Sequence, residues 1–297
     1  MFQCRLPVLL QILLAWAVVQ PQAVLAQFAR PSWSVVPAPN PQSRPRGLLA
    51  DAPPLEPIQP LTATVKPWPS PSLNPGVPSA FVANWGDVFV AGSAATQGNE
   101  RPDADGSWVA GFGLGDASRA IALELSGGCG SVKNFCSNGS FGARVSRLLI
   151  NQPRARLALA GGWQNGVQWG NEGRQDNVYS ATLTYAIPLR PGTSFPQTFQ
   201  INAGVGNSSF APYVDTGSES QVGGFGSVGV ELTPALGVSA GWSGRGVNAQ
   251  LSYSPLRDVP ISLNLLGADL LNQTPAGTVG VLTIGWGTNF TTPAFQP

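Results

Sequence analysis

From about residue 81 onward the chain is a succession of short segments in which apolar and small uncharged polar residues alternate one for one. In Tyr179 to Leu189 the apolar set is Tyr179, Ala181, Leu183, Tyr185, Ile187 and Leu189, with Ser180, Thr182 and Thr184 opposite. Phe199, Ile201, Ala203 and Val205 interleave with Gln200, Asn202 and Gly204. Val247, Ala249, Leu251 and Tyr253 interleave with Asn248, Gln250, Ser252 and Ser254, and Leu282, Ile284 and Trp286 with Thr283, Gly285 and Gly287. Successive side chains on a strand point to opposite faces, so each segment is a strand with one apolar and one small polar face. A soluble antiparallel sheet alternates in the same way, but its solvent face carries charge. Here that face is Ser, Thr, Asn, Gln and Gly, and only 10% of the whole chain is charged, against about a quarter in ordinary soluble domains.

About twelve such segments are predicted, near 81–96, 107–115, 119–127, 139–150, 154–167, 178–189, 197–207, 221–232, 236–245, 247–254, 260–271 and 278–290. Most have the length of a tilted strand crossing a bilayer core, about 9–11 residues. Tight links at Asp116-Ala117-Ser118, Asn151-Gln152-Pro153 and Thr233-Pro234-Ala235 alternate with long polar ones such as 97–106, 128–138, 168–177 and 208–220. Short turns on one side and long loops on the other are the layout of bacterial outer-membrane barrels. Tyr179, Phe199, Trp242, Tyr253 and Phe290 sit near the ends of apolar faces, as interfacial aromatics do. The expected fold is therefore all-β, an antiparallel up-and-down transmembrane β-barrel of residues 81–297 with both ends on the periplasmic side. A secreted β-sandwich is the competing architecture.

The N-terminus fits export. Met1 to Arg5 carries one positive charge, Leu6 to Val19 is apolar, and Val24-Leu25-Ala26 places small residues before Gln27, the order of a cleavable signal peptide over 1–26. Residues 27–80 are Pro-rich, which favours extended, solvated chain, and read as a disordered periplasmic tether. The alternative is a docking segment or a plug threading the barrel, with Trp33 and Trp68 as its anchors. Beyond the signal peptide, Cys129 and Cys136 are the only cysteines, and in an exported chain so close a pair reads as a disulfide stapling an outer loop.

The composition also narrows function. There is no histidine, which removes Ser–His and Asp–His hydrolases. No catalytic set converges, and neither an enzyme nor a cofactor is expected. A formal net charge of +1 argues against a nucleic-acid partner. Asp103-Ala104-Asp105-Gly106 is a fragment of calcium-loop spacing without the later bidentate Glu, so no metal site is expected. Gly111-Phe112-Gly113-Leu114-Gly115 reads as a Gly-rich strand with close backbone packing. If the apolar face meets lipid, the charges expected in the lumen are Glu124, Arg144, Arg154, Arg156 and Glu231, with Arg245 near an outer rim. Glu124, Arg144 and Arg156 could pair across three consecutive strands, either bracing the wall or filtering solutes by charge. Inward glycines and serines leave space for a narrow aqueous channel or for a plug.

The stretch from Trp242 to Ile261, with Trp242-Ser243-Gly244, Ser252-Tyr253-Ser254-Pro255-Leu256-Arg257-Asp258-Val259-Pro260 and then Asp269, resembles a pattern in uncharacterised cyanobacterial outer-membrane proteins. It is more distantly similar to the YjbH-like barrels associated with exopolysaccharide export. Gly280 to Phe290 resembles the C-terminal strand recognised by the barrel-assembly machinery. The resemblance implies a barrel that acts as a passive pore or as an accessory to envelope polysaccharide export. Outer-membrane lipid, the assembly machinery and a periplasmic partner of the Pro-rich arm are the partners expected. A non-transporting structural or binding barrel is the alternative.

Overall fold

The computed structural model describes residues 69–99, 103–132, 136–170, 176–212 and 221–291. Residues 1–26, where a signal peptide is expected, and residues 27–68 of the Pro-rich stretch, Trp33 and Trp68 included, lie outside the described residues. Twelve antiparallel strands run β1 (Asp87–Ala95), β2 (Asp105–Gly115), β3 (Ala122–Cys129), β4 (Gly139–Gln152), β5 (Ala155–Trp169), β6 (Val178–Pro188), β7 (Thr198–Asn207), β8 (Val222–Thr233), β9 (Leu236–Trp242), β10 (Val247–Tyr253), β11 (Ile261–Ala268) and β12 (Val279–Asn289). Each pairs with its sequence neighbours, and β1 pairs with β12 from Asp87↔Asn289 to Ala95↔Val281, closing the barrel. Closure removes every open sheet edge, which a bilayer requires.

The expected strands all form, within a few residues of the expected ends except at β1. The strand expected from residue 81 begins only at Asp87, because Phe81, Val82 and Ala83 are buried inside the barrel. The chain turns out of the lumen at Gly86, whose φ of +90° suits glycine. The broken phase of alternation between Phe81 and Thr96 marks this junction.

The alternation becomes an inside-out protein. On β6 the outward Tyr179, Leu183 and Tyr185 are exposed, whereas the inward Thr182 and Thr184 are buried. On β10 Leu251 and Tyr253 are exposed, and Asn248, Gln250 and Ser252 are buried. The outer wall carries two groups of aromatics. Trp85, Phe112, Tyr185, Tyr253, Trp286 and Phe290 lie toward the side that holds both chain ends, hereafter the near side. Trp108, Phe141, Trp163, Trp169, Tyr179 and Trp242 lie toward the far side. An apolar band between two aromatic girdles is the exterior of a barrel solvated by lipid.

On the near side, Asp116 accepts from the Ser118 N–H and hydroxyl, which form the β2–β3 turn and hold its carboxyl below the usual range. On the far side, the expected disulfide joins Cys129 and Cys136 (S–S 2.06 Å) across the β3–β4 connection. The Trp108 indole N–H donates to Cys136 Sγ (2.9 Å) and the Trp169 indole N–H to the Cys136 carbonyl (3.1 Å). The staple thus ties the loop to the tops of β2 and β5.

Candidate functional site: the lumen and the segment that fills it

The lumen is occupied by the chain itself. Residues 71–83 are buried apart from the half-buried Gly76, although the sequence pattern placed those up to 80 in a solvated arm. They enter at the near side, rise, turn and return, so that both legs of the loop open toward the near side. The physical reason is complementary hydrogen bonding. A Pro-rich strip lacks partners of its own, and the polar inner wall supplies them.

Along the rising leg, the Ser72 N–H donates to Ser252 Oγ (2.7 Å). Leu73 then seats on two glycines of the wall. A Cβ at Gly229 would stand 2.7 Å from the Leu73 Cβ, and one at Gly237 2.9 Å from Leu73 Cδ2. Asn74 is the hub: its Oδ1 accepts from Gln200 Nε2 (2.7 Å) and Asn202 Nδ2 (2.9 Å). At the apex the Gly76 N–H donates to the Asn74 carbonyl (3.0 Å), with Gly76 at φ +71°. Asn248 Nδ2 donates to the Pro75 carbonyl (3.1 Å).

The returning leg is held as closely. The Ala80 N–H donates to Thr184 Oγ1 (2.7 Å), and Ser146 Oγ donates to the Ala80 carbonyl. Arg144 donates to the Ser79 carbonyl. The Ala83 N–H donates to Glu124 Oε2 (2.9 Å). Ala80, Phe81 and Val82 pack among Ala117, Ala122, Ala158, Ala160 and Ala186, small residues that leave the bore wide enough for a second piece of chain.

The far end of the lumen is covered from outside the loop. A short 3-10 turn, Ser208–Phe210, folds inward after β7, and Phe210 packs on Val77 at the loop apex and on Phe225 (ring centroids 4.5 Å apart). Arg245 clamps this turn, donating from Nε to the Ala211 carbonyl (3.0 Å) and from Nη2 to the Ser208 carbonyl (2.7 Å). Asn248 joins the apex to a second far-side loop, because its Oδ1 accepts the Asp269 N–H (3.0 Å). The Asp269 carboxylate in turn accepts from the Gln273 and Thr274 N–H groups (2.8 and 2.7 Å).

The charges expected in the lumen divide. Glu124 and Arg144 face each other across β3 and β4, fully buried, with Oε1 and Nη1 3.6 Å apart, and both also hold the loop. Arg156 lies in register with Ala186, a lumen-facing residue, near the near mouth. Glu231 is buried at the same mouth and accepts the Thr198 N–H (2.8 Å), bracing β7 against β8. Arg245 sits at the far rim, where it holds the 3-10 turn. Arg154 is the correction: it is exposed in the β4–β5 turn and does not line the lumen, because β5 begins only at Ala155. Among the described residues no group of three or more His, Cys, Asp or Glu could hold a metal ion.

Among the described residues, buried polar groups of the inner wall without a hydrogen-bond partner include Gln164 Nε2, Ser239 Oγ, Gln250 Nε2 and Ser254 Oγ, besides Glu124 Oε1 and Arg144 Nη1 of the ion pair. Ser239 and Gln250 are direct cross-strand neighbours. Each such uncharged group costs about 1–3 kcal/mol. The sequence reading held a plug threading the barrel only as an alternative, anchored by Trp33 and Trp68, and missed Asn74 as the hub of the loop. Its signal was the turn-forming Asn74-Pro75-Gly76, matched by glycine and alanine on the facing strands.

No protein-family model matches the chain, and no curated protein matches it in sequence. Among solved structures it is similar to the NanC porin, at 8% identity and a TM-score of 0.46, with 68% of this chain and 98% of that chain covered. The KdgM porin in complex with disordered oligogalacturonate aligns at 6% identity and a TM-score of 0.41, covering 67% and 98%. The outer-membrane protein Omp33 of Acinetobacter baumannii aligns at 10% identity and a TM-score of 0.39, covering 69% and 98%.

Proposed function

We propose that the protein is an outer-membrane barrel closed at rest by its own residues 71–83, and that it serves as a conduit when this loop withdraws into the periplasm. The observation that carries the reading is the loop itself, buried along its length and held by side chains of β3, β4, β6, β7 and β10. Its two legs open on the side of the chain ends, which in bacterial outer-membrane barrels is the periplasmic side. Withdrawal toward that side needs no threading, whereas exit by the far side would have to drag β1 through the bore. A periplasmic partner acting on the Pro-rich arm would supply the pull, and barrel-assembly machinery the insertion. A role in envelope polysaccharide export follows the resemblance of Trp242 to Ile261 to YjbH-like barrels.

The second reading is a permanently filled structural barrel, favoured by the far-side cover of Phe210 and Arg245. A cross-link separates the two. Ser79 Oγ and Thr184 Oγ1 lie 3.4 Å apart, within reach of a disulfide in the Ser79→Cys/Thr184→Cys pair. In planar bilayers the reduced double variant should show voltage-induced ionic steps and the oxidised form none, with wild type at each redox state as control for the native disulfide. Steps that persist through the intact cross-link would refute loop gating. Silence of both forms would establish the filled barrel.

A further inference from the structure

We infer that the inner wall is built to pass an uncharged, polyhydroxylated solute, an oligosaccharide-type chain, through the bore that the loop vacates. The inference rests on the loop-gated reading above and names its substrate class. The wall residues that hold the loop treat it as such a molecule would be treated. Thr184 accepts an N–H, Ser146 and Asn248 donate to carbonyls, Ser252 accepts an N–H, and Gln200 and Asn202 grip a carboxamide. None of these six is charged, and the two charged wall residues that also hold the loop, Glu124 and Arg144, are paired with each other. Hydroxyls and carboxamides both donate and accept, which matches a sugar hydroxyl that does the same.

The distribution of charge agrees. Glu124 and Arg144 neutralise each other, and Arg156 and Glu231 lie at the near mouth. The wall of β9 and β10 is Ser239, Asn248, Gln250 and Ser252. An acidic or basic polymer would meet no counter-charge there, and its desolvation would go uncompensated.

The second, independent observation is the set of polar groups that the loop leaves unused. Ser239 Oγ and Gln250 Nε2, cross-strand neighbours on β9 and β10, and Ser254 Oγ, the residue after β10, are each on residues more than nine-tenths buried and have no partner while the loop is seated. Native interiors rarely carry such a cluster without a use for it. The closed state therefore underuses this wall, and a hydroxyl-rich chain in the loop's place would satisfy it.

The test uses the full chain carrying Gly229→Val, which denies Leu73 its seat. In proteoliposome swelling, an uncharged trisaccharide should enter at least about fivefold faster than an acidic or an amino trisaccharide of equal size. In a KCl gradient the reversal potential should stay near zero. Adding Ser239→Val and Gln250→Leu should cut the neutral-sugar rate about threefold or more and move the ionic conductance much less. Faster entry of either charged sugar, or a neutral rate untouched by the added pair, would overturn the inference while leaving loop gating intact. A variant that is folded by heat-modifiability and shows no ionic steps would refute loop gating, and the inference would fall with it.

Discussion

Gly229→Val tests the loop where the wall admits it most closely. The substitution places a β-branched side chain, compatible with a strand, at a position whose Cβ would lie 2.7 Å from the Leu73 Cβ and 2.7 Å from its carbonyl oxygen. The rising leg must then leave. Leu73, 5% exposed in the seated loop, gives up about 1.5–3 kcal/mol of burial. The four hydrogen bonds that Ser72, Asn74 and Pro75 receive from or make to the wall go with it, each worth about 0.5–1.5 kcal/mol net. The low end of that range is about 3.5 kcal/mol, a roughly 300-fold shift of the seated-to-withdrawn equilibrium. Single-channel recording of the full chain reads it directly: rare openings in wild type should become sustained. Gly224→Val on the same strand is the control, since a Cβ there meets nothing closer than 3.9 Å. A Gly229→Val protein that folds by heat-modifiability and is as silent as wild type would refute the seat and, with it, the loop as the closure. An equal effect from Gly224→Val would show that β8 itself had been damaged.

Glu124→Gln leaves the buried Arg144 guanidinium without its counter-charge, and should destabilise the folded barrel by about 3–5 kcal/mol, read as a lower temperature for the gel shift on heating. A Glu124→Gln/Arg144→Met pair should recover most of that loss. Arg245→Ala removes both donors that hold the Ser208–Phe210 turn, and should expose the far-side segment after β7 to added protease while the barrel stays folded. Cys129→Ser should open the β3–β4 connection to protease and cost about 2 kcal/mol by loop-closure entropy, with β-rich circular dichroism retained. Unchanged cleavage patterns would refute either of the last two.

Most of the wall was legible in the sequence, and for a local reason. Strand alternation has a period of two, so each segment declares its own two faces without reference to any other. The pairs Thr182/Leu183 and Gln250/Leu251 already say which side meets lipid if the sheet closes, and both point as expected. The Cys129–Cys136 bridge was legible because its partners are close in sequence and the one other cysteine, Cys4, lies in the segment read as an export signal. Arg154 was misread because a turn boundary one residue away decides whether a side chain belongs to a strand face at all.

What the bore contains was decided only by tertiary structure. Residues 71–83 are rich in proline and small residues, and by composition they resemble any solvated linker. Their burial depends on partners more than a hundred residues away: Thr184, Gln200, Asn202 and Asn248 each hold a group that the local chain cannot satisfy. Room for them depends on Gly229, Gly237, Ala158, Ala160 and Ala186, whose small size has meaning only once the wall closes and they face one another across the bore. Alternation, being periodic and local, was written in the sequence by itself. The occupancy of the lumen is a property of facing surfaces, and it came into being with closure.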